Sequence, residues 1–340
     1  MRDSNQKLIT NDRLRRYLRR EGMRRGATEL PYAPVEIYVD PCSACDLRCT
    51  FCPQSNWGQR DRGVMKWELY EKVLAEVSEL RPKKVLLFCY GESILNKRIF
   101  EMIRAAADEG LNVVIHTNAK SLDEEKAKNL LEAGLSEIHF SFDTADKEAY
   151  NRMRVRSDFD VVVANIRRFL DLKQEGGYEK PVAYMQELVP FEEGKAPATS
   201  PEYRALFEGR DVVFDPRFMH NFAGASNETE FESQRLKGRT QCTQLYTRIV
   251  VAFDGKMHAC CLDAEGHNIV GDLAKGDTIS SAWNGPVMQE LRQRTNEFDL
   301  KGLHPCDTCD QLRLQTTFKK RPVKDLVRRT VWNVVAGTEK

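Results

Sequence analysis

Cys45-Asp-Leu-Arg-Cys49-Thr-Phe-Cys52 is a C-x3-C-x2-C run that follows the apolar segment Val35-Glu-Ile-Tyr-Val-Asp40. A loop with this spacing can deliver three thiolates to one face of an iron–sulfur cube. A cube has an iron at each of four corners, so three cysteines leave one iron open to a substrate or cofactor. Structural zinc is the alternative, but it takes four ligands, usually as two CxxC pairs. The run therefore favours an iron–sulfur cluster with one open position.

Composition limits what the chain does. The sequence has 340 residues, of which 41% are hydrophobic and 30% charged, enough for one large or two modest domains. A formal net charge of +1 offers no strong field to nucleic acid or a membrane, and no apolar run is as long as a membrane span. The N-terminus, Met1-Arg-Asp-Ser-Asn-Gln6, lacks the apolar core of a secretion signal. We expect a cytoplasmic protein that binds neither nucleic acid nor membrane, with reduced cysteines.

The ten cysteines fall into two groups along the chain, with Cys89 in neither. Such a layout predicts two metal sites in two domains rather than a disulfide framework. The first group is Cys42, Cys45, Cys49 and Cys52, and the second is Cys242, Cys260, Cys261, Cys306 and Cys309.

From Val35 onward, apolar strand-like runs alternate with helical periodicity. The predicted strands are 35–40, 84–90, 111–117, 136–143, 181–189 and 211–214. The predicted helices are 66–80, 97–109, 122–133, 147–154, 159–173 and 201–208. Runs that are apolar along most of their length are typical of parallel strands covered by helices. Six such units with right-handed crossovers predict an α/β fold, a partial (β/α)6 TIM-like barrel with its working residues at the carboxyl ends of the strands.

The cysteine run, with Phe51 before its third cysteine, resembles the signature of the radical S-adenosylmethionine (SAM) enzymes. The resemblance implies that Cys45, Cys49 and Cys52 hold a [4Fe–4S] cluster whose open iron binds the amino and carboxylate groups of SAM. At the second strand end, Phe88-Cys-Tyr-Gly91-Glu92-Ser93 resembles the family's Gly-Gly-Glu-Pro, although Tyr90 and Ser93 depart from it. A glycine there permits close backbone approach.

Several later strand ends carry residues to which the resemblance gives a role in SAM binding. Glu92 would hydrogen-bond the amino group. Arg154 resembles the carboxylate-binding arginine, with Arg152 and Arg156 as near competitors. The fifth strand, through Leu188, would line the adenine. The full set of implied SAM-binding residues is Phe51, Gly91, Glu92, Ser93, Thr117, Asn118, Ser141, Asp143, Arg154 and Leu188.

Residues 236–318 form a second, smaller predicted module. Asp254-Gly255 lies between the strand-like runs 248–253 and 256–260, which is a strong hairpin signal, and a helix is predicted at 280–294. The Cys-x17-Cys spacing, the hairpin and the terminal CxxC resemble the twitch domain, the short form of the SPASM domain. The resemblance implies an auxiliary [4Fe–4S] cluster. Two alternatives stay open: Cys261 could be the ligand in place of Cys260, and the four thiolates could bind zinc instead of a cluster. The implied ligands are Cys242, Cys260, Cys306 and Cys309.

The resemblance also implies a reaction. The reduced open cluster passes one electron to SAM, giving methionine and a 5′-deoxyadenosyl radical that abstracts hydrogen from a C–H bond. The auxiliary cluster would accept a second electron and so convert an alcohol of a sugar or aminocyclitol to a ketone, as in proteins like 2-deoxy-scyllo-inosamine dehydrogenase. The oxidation needs a base, for which the candidates are His220, Glu187 and Arg217. An external one-electron donor such as flavodoxin or ferredoxin would supply the first electron.

Three other functions stay open at this point. A redox-neutral epimerase would need a hydrogen-atom donor, for which Cys261 is the candidate. Modification of a ribosomally made peptide is a second alternative. A zinc-ribbon nucleic-acid-binding protein is a third, and the near-neutral charge and the three-cysteine site argue against it.

The two ends of the chain are basic. Residues 1–34 are rich in arginine, which predicts a solvated helix or tail, and residues 319–340 form a second basic tail. The predicted barrel occupies 35–235. Residues 190–201 and 216–234 are predicted as loops because they are rich in Pro, Gly, Asn and Glu.

Overall fold

The computed structural model describes residues 8–57, 62–190, 192, 195–226, 241–311 and 332. Within them, nine strands form a single sheet. The strands are β1 (Glu36–Val39), β2 (Lys84–Leu86), β3 (Val113–Thr117), β4 (Glu137–Asp143), β5 (Val182–Val189), β6 (Val213–Phe218), β7 (Arg248–Val251), β8 (Lys256–His258) and β9 (Ile269–Asp272).

The sheet has the order β6-β5-β4-β3-β2-β1-β7-β8-β9. Strands β1 to β6 pair in parallel, each with the next along the chain, which confirms the predicted partial (β/α)6 barrel. Strand β7 pairs in parallel with the other edge of β1, and β8 and β9 continue the sheet antiparallel. The second module therefore extends the sheet of the barrel.

Helices connect the parallel strands and cover the outside of the sheet. Asp123, Asp146, Asp158 and Ser200 each accept a backbone N–H at the start of one of these helices, which satisfies part of its first turn. The helices are α1 (Asp12–Arg25), α2 (Trp67–Leu80), α3 (Ile99–Asp108), α4 (Glu124–Glu132), α5 (Lys147–Met153), α6 (Phe159–Glu175), α7 (Pro201–Ala205), α8 (Ile279–Trp283) and α9 (Pro286–Glu297).

Alternation along the strands divides the apolar side chains between two faces. In β1, Ile37 and Val39 pack in the large core under the helices, with Val73 of α2. Tyr38 points the other way and packs with Leu86 in a smaller cluster inside the barrel. The inner face is where a ligand at the strand ends would be enclosed.

The second module differs from the prediction in two elements. The helix predicted at 280–294 is two helices, because Gly285 precedes Pro286, and proline is favoured in the first turn of a new helix. Strand β9 was not predicted, since its Gly271 and Asp272 interrupt the apolar pattern.

Strand β6 also differs, because it continues through Pro216 and Arg217, where a loop was predicted. Within the described ranges this strand pairs with β5 alone and forms the edge of the sheet. Proline is tolerated on an edge strand, since no neighbour needs its missing N–H.

The prediction of a solvated N-terminal helix was wrong for one face of α1. Leu18 lies in the main core, and the guanidinium of Arg15 donates to the backbone carbonyls of Thr10, Pro34 and Arg81. Helix α1 therefore packs against the N-terminal part of the barrel. Trp332 lies close to α1 at Gly22, and the rest of the predicted basic tail, 319–340, lies outside the described residues.

No helix in the described part of the chain has the length and apolar character needed to cross a membrane.

Candidate functional site

The first cysteine loop lies between β1 and α2, at the carboxyl end of β1. Its backbone pairs with the end of α5, since Arg48 N–H donates to Val155 O (2.9 Å) and Thr50 N–H to Met153 O (2.9 Å). Burial raises the pKa of the Cys45 thiol to about 12 and that of Cys49 to about 11. Binding an iron–sulfur cluster at these thiols must therefore release protons.

Gly91 lies directly against this loop. A Cβ at Gly91 would lie 2.2 Å from Cys42 O and 2.4 Å from Ala44 O, far inside contact distance. The next residue, Glu92, donates its N–H to Ala44 O (2.9 Å). The turn after β2 thus packs backbone to backbone on the cysteine loop, which only glycine permits.

Glu92 is fully buried behind the loop. Its carboxylate accepts the backbone N–H of Asn118 (2.7 Å) and, more weakly, that of Ile94 (3.4 Å). Burial raises the pKa of Glu92 to about 7, even though these hydrogen bonds act in the opposite direction. The Asn118 side chain in turn donates to Asp46 (2.9 Å), inside the cysteine run.

Asp143 and Arg154 form a buried ion pair on the other side of the loop. Arg154 Nε lies 2.6 Å from Asp143 Oδ2, and the guanidinium carbon lies 5.7 Å from the centre of the Phe51 ring. Asp143 has a φ of +69° beside a register shift in β4, a conformation that few non-glycine residues adopt. Strained backbone of this kind is common at ligand sites.

The structure thus brings most of the predicted SAM-binding residues to the carboxyl ends of β1 to β4. Ser93 is turned inward, where its hydroxyl donates to Leu87 O (2.8 Å). Leu188, near the end of β5, is half-buried. The roles assigned to individual residues stay predictions.

Four cysteines of the second module line one cavity: Cys242, Cys260, Cys306 and Cys309. Cys261 is turned to the inner face of the barrel, where Arg248 Nη1 lies 3.7 Å from its sulfur. The Arg248 guanidinium also contacts the Tyr38 hydroxyl (2.8 Å) and Glu36 (2.7 Å). Cys260 lines the cavity and Cys261 does not, although the two thiols interact with each other. The lining of the cavity therefore favours Cys260 as the fourth ligand.

The donor sets fit iron–sulfur clusters, since soft thiolates are the ligands such clusters take. In the described ranges, no three His, Cys, Asp or Glu side chains converge on one point as the ligands of a single ion must. A cube spreads its ligands over separate corners, so thiols lining a cavity are compatible with it.

The predicted base candidates lie near the ends of β5 and β6. Glu187 accepts the hydroxyl (2.6 Å) and the backbone N–H (2.9 Å) of Ser200, at the start of α7. His220 accepts the Phe222 N–H at Nδ1 (3.1 Å), and burial lowers its pKa to about 4. The neutral ring then carries its proton on Nε2 and offers a hydrogen-bond donor there.

The segment Asn221–Gly224 touches both cysteine sites. The Phe222 ring stacks on Phe51, with centroids 6.4 Å apart, and Ala223 O accepts the Thr308 hydroxyl (2.7 Å) within the terminal CxxC. Phe222 and Ala223 both have positive φ. The sequence predicted a loop here, at 216–234, but gave no sign of this strained contact with both cysteine sites.

A row of rings on the inner face of the barrel was not predicted. Phe88 stacks on His116 (3.7 Å between centroids), His116 on His139 (4.4 Å) and His139 on Tyr184 (4.4 Å). The alternation of side chains along β3 and β4 could have predicted it, since His116 and His139 are at inward positions of their strands.

Comparison with known proteins identifies the class to which this fold and these two sites belong. A profile of the Radical SAM superfamily matches residues 39–179, and one of the SPASM iron–sulfur cluster-binding domain matches residues 242–310. The chain therefore carries a radical SAM domain and a SPASM domain. These families imply SAM and two iron–sulfur clusters as cofactors, and the SPASM match does not support the zinc-ribbon alternative.

The proteins similar to this chain include relatives in sequence and solved structures with a similar fold. A tungsten-containing aldehyde ferredoxin oxidoreductase cofactor-modifying protein of Pyrococcus furiosus is 28% identical over 161 residues, which are 47% of this chain and 45% of that protein. The chain thus spans less than half of that relative. The crystal structure of BtrN with AdoMet and 2-DOIA has a TM-score of 0.57 at 17% identity, covering 84% of this chain and 96% of that one.

A second solved structure, Streptococcus suis SuiB bound to the precursor peptide SuiA, has a TM-score of 0.55 at 14% identity. The match covers 86% of this chain and 74% of that chain. At these identities, both solved structures show the fold and nothing further.

Proposed function

We propose that this radical SAM enzyme is an oxidoreductase that converts an alcohol of a sugar or aminocyclitol to a ketone. The observation that carries the proposal is the cavity lined by four cysteine thiols in the SPASM domain. Four thiolates would give every iron of a [4Fe–4S] cluster a protein ligand. With no iron open to substrate, this cluster would serve to accept an electron. BtrN, which shares this fold over 96% of its chain, is solved with AdoMet and 2-DOIA, and a small-molecule substrate is proposed here by analogy with it.

When bound, SAM and the clusters supply the radical that removes hydrogen from carbon and the acceptor for the second electron. The chain's own residues hold these groups. Cys45, Cys49 and Cys52 would hold the first cluster. The buried Asp143–Arg154 pair, with Phe51, offers a cation and a ring face beside it, for the carboxylate and the adenosyl part of SAM.

Glu92 would accept a hydrogen bond from the amino group of SAM, and this makes the affinity depend on pH. Because the pKa of Glu92 is raised to about 7, the carboxyl is mostly protonated at pH 6 and mostly ionised at pH 8. Only the ionised carboxylate of Glu92 can accept hydrogen bonds from an amino group at both of its oxygens. We therefore expect the ratio of SAM dissociation constants, Glu92→Gln over wild type, to rise about tenfold from pH 6 to pH 8.

Anaerobic calorimetry on reconstituted protein measures both constants. The ratio cancels the titration of SAM itself, which is common to both proteins. A ratio that does not change with pH contradicts the assigned role of Glu92.

Product mass tests the reaction. Reconstituted protein with dithionite, SAM and a panel of aminocyclitols and sugars is expected to form 5′-deoxyadenosine and a product lighter by two hydrogens. Failure of every substrate in the panel to lose two hydrogens while 5′-deoxyadenosine forms would argue against alcohol oxidation of this class. Peptide modification then becomes the favoured alternative, since SuiB is solved with a precursor peptide.

An epimerase is the second candidate, and the position of Cys261 on the inner face of the barrel favours it. An epimerase would give a product of unchanged mass with one deuterium from heavy water. For a dehydrogenase, Cys261→Ala is expected to leave 5′-deoxyadenosine and ketone formation within about threefold of wild type, since no step needs the thiol. Loss of product with continued SAM cleavage in this variant would favour the epimerase.

A further inference from the structure

Tyr90 connects the two cysteine sites. It stands where the commoner family pattern has the first glycine, and its side chain reaches into the SPASM domain. The hydroxyl lies 3.2 Å from Asp263 O, 3.5 Å from Cys260 O and 3.4 Å from His258 Nδ1. His258 Nδ1 also lies 3.3 Å from Asp263 O, which can only accept, so this ring carries its proton on Nδ1. The Tyr90 hydroxyl then donates to the carbonyls of the loop that presents Cys260.

The backbone of Tyr90 is fixed to the first cysteine loop. Gln54 Nε2 donates to Tyr90 O (3.2 Å) and to Ser43 O (2.5 Å), which ties the two segments together. The Trp57 ring packs edge-on against the Tyr90 ring, with centroids 5.9 Å apart. Two residues further on, Glu92 N–H bonds Ala44 O, next to Cys45. A chain of covalent and hydrogen bonds therefore runs from one candidate ligand, Cys45, to another, Cys260.

We propose that Tyr90 is a positioning residue that fixes the auxiliary cluster relative to the SAM site and raises its reduction potential. The inference rests on the cofactor part of the proposed function, namely a cluster held by Cys260 and its three partners. A buried hydroxyl that donates to the backbone carbonyls of the loop carrying Cys260 makes the electrostatic potential around this ligand more positive, which stabilises the extra negative charge of the reduced cluster. Hydrogen bonds around a cluster are among the features that set its potential.

Tyr90→Phe removes this hydroxyl without leaving buried carbonyls unpaired. Cys260 O still accepts the Asp263 N–H (3.2 Å), and Asp263 O still accepts the Gly266 N–H (3.1 Å). The phenylalanine ring keeps the contact with Trp57. We therefore expect the variant to fold and to keep its auxiliary iron.

The test uses a Cys45/Cys49/Cys52→Ala background, in which only the auxiliary cluster is loaded. An EPR-monitored redox titration compares that protein with and without Tyr90→Phe. The expected result is an equilibrium constant for reduction about threefold smaller in the variant, or about 28 mV at 59 mV per decade for one electron. Tyr70→Phe is the matched control, because it also removes a buried hydroxyl, bonded to Met102 O (2.6 Å), in the helical core.

Each outcome decides the proposal. An unchanged potential with Tyr90→Phe overturns it, and so does an equal shift with Tyr70→Phe. Loss of auxiliary iron in Tyr90→Phe but not in Tyr70→Phe also overturns it, since the hydroxyl would then be needed for assembly. The titration involves neither SAM nor substrate, so failure of the proposed reaction would leave this result intact.

Discussion

Replacing Cys45, Cys49 and Cys52 together with alanine is expected to abolish 5′-deoxyadenosine formation and to lower iron from about eight to about four per chain. These thiols follow β1 on one loop, and they are the donor set for the first cluster. The second cavity draws its thiols from residues 242 to 309, so its iron is expected to remain. Iron analysis and chromatography of an anaerobic reaction with dithionite and SAM measure both effects.

Cys42→Ala is the matched control. Cys42 is buried three residues before the run, and its thiol lies 3.6 Å from Ala44 O. Its loss removes a small buried group and none of the proposed ligands, so iron content and SAM cleavage should match wild type. If the triple variant and this control behave alike, the first cluster is not where we place it.

Replacing Gly91 with alanine is expected to lower the SAM-dependent formation of 5′-deoxyadenosine by at least about tenfold. The added methyl group would meet two backbone oxygens of the cysteine loop at 2.2 and 2.4 Å. Backbone cannot rotate away as the end of a flexible side chain can, so the loop or the turn must move. Misplacement of about 1 Å at a reacting site can lower a rate about a hundredfold.

Gly209→Ala separates the clash from general strain. Gly209 has a φ of +75° and no atom within 4 Å of an added Cβ. Its replacement should lower the free energy of unfolding by about 1–2 kcal/mol and leave SAM cleavage unchanged. If Gly91→Ala keeps full activity and loses only as much stability as Gly209→Ala does, that result would contradict the close approach we describe.

The barrel could be predicted because its strands are buried on both faces. Runs such as 84–90 are apolar along most of their length, and helix starts such as Asp123 and Asp158 carry a side chain that caps the backbone. Pattern and capping agree at the units of α4, α5, α6 and α7, and the apolar pattern alone predicted α2 and α3, so the order of elements could be predicted. The first cysteine site was also predictable, since its spacing places three thiols in one loop. The second was predictable only through the resemblance, because its thiols come from separate segments between residues 242 and 309.

Other features depend on contacts between distant segments. The arginine pattern of α1 indicates a solvated surface, but Arg15 is buried because backbone carbonyls from three segments meet at its guanidinium. Spacing could not choose between Cys260 and Cys261, since the choice depends on how the chain leaves β8. The break at Gly285-Pro286, by contrast, was visible in the sequence and was missed.

The pairing of β1 with β7 has a consequence for separating the two domains of this chain. All four residues of β1 pair with β7, and the flanking Val35 and Asp40 donate to Thr247 O and Val251 O (both 2.8 Å). A barrel severed from its partner would present this row of backbone groups to water, as an exposed edge that invites intermolecular pairing. A barrel separated from the rest of the SPASM domain would therefore need to keep β7, which covers this edge of β1.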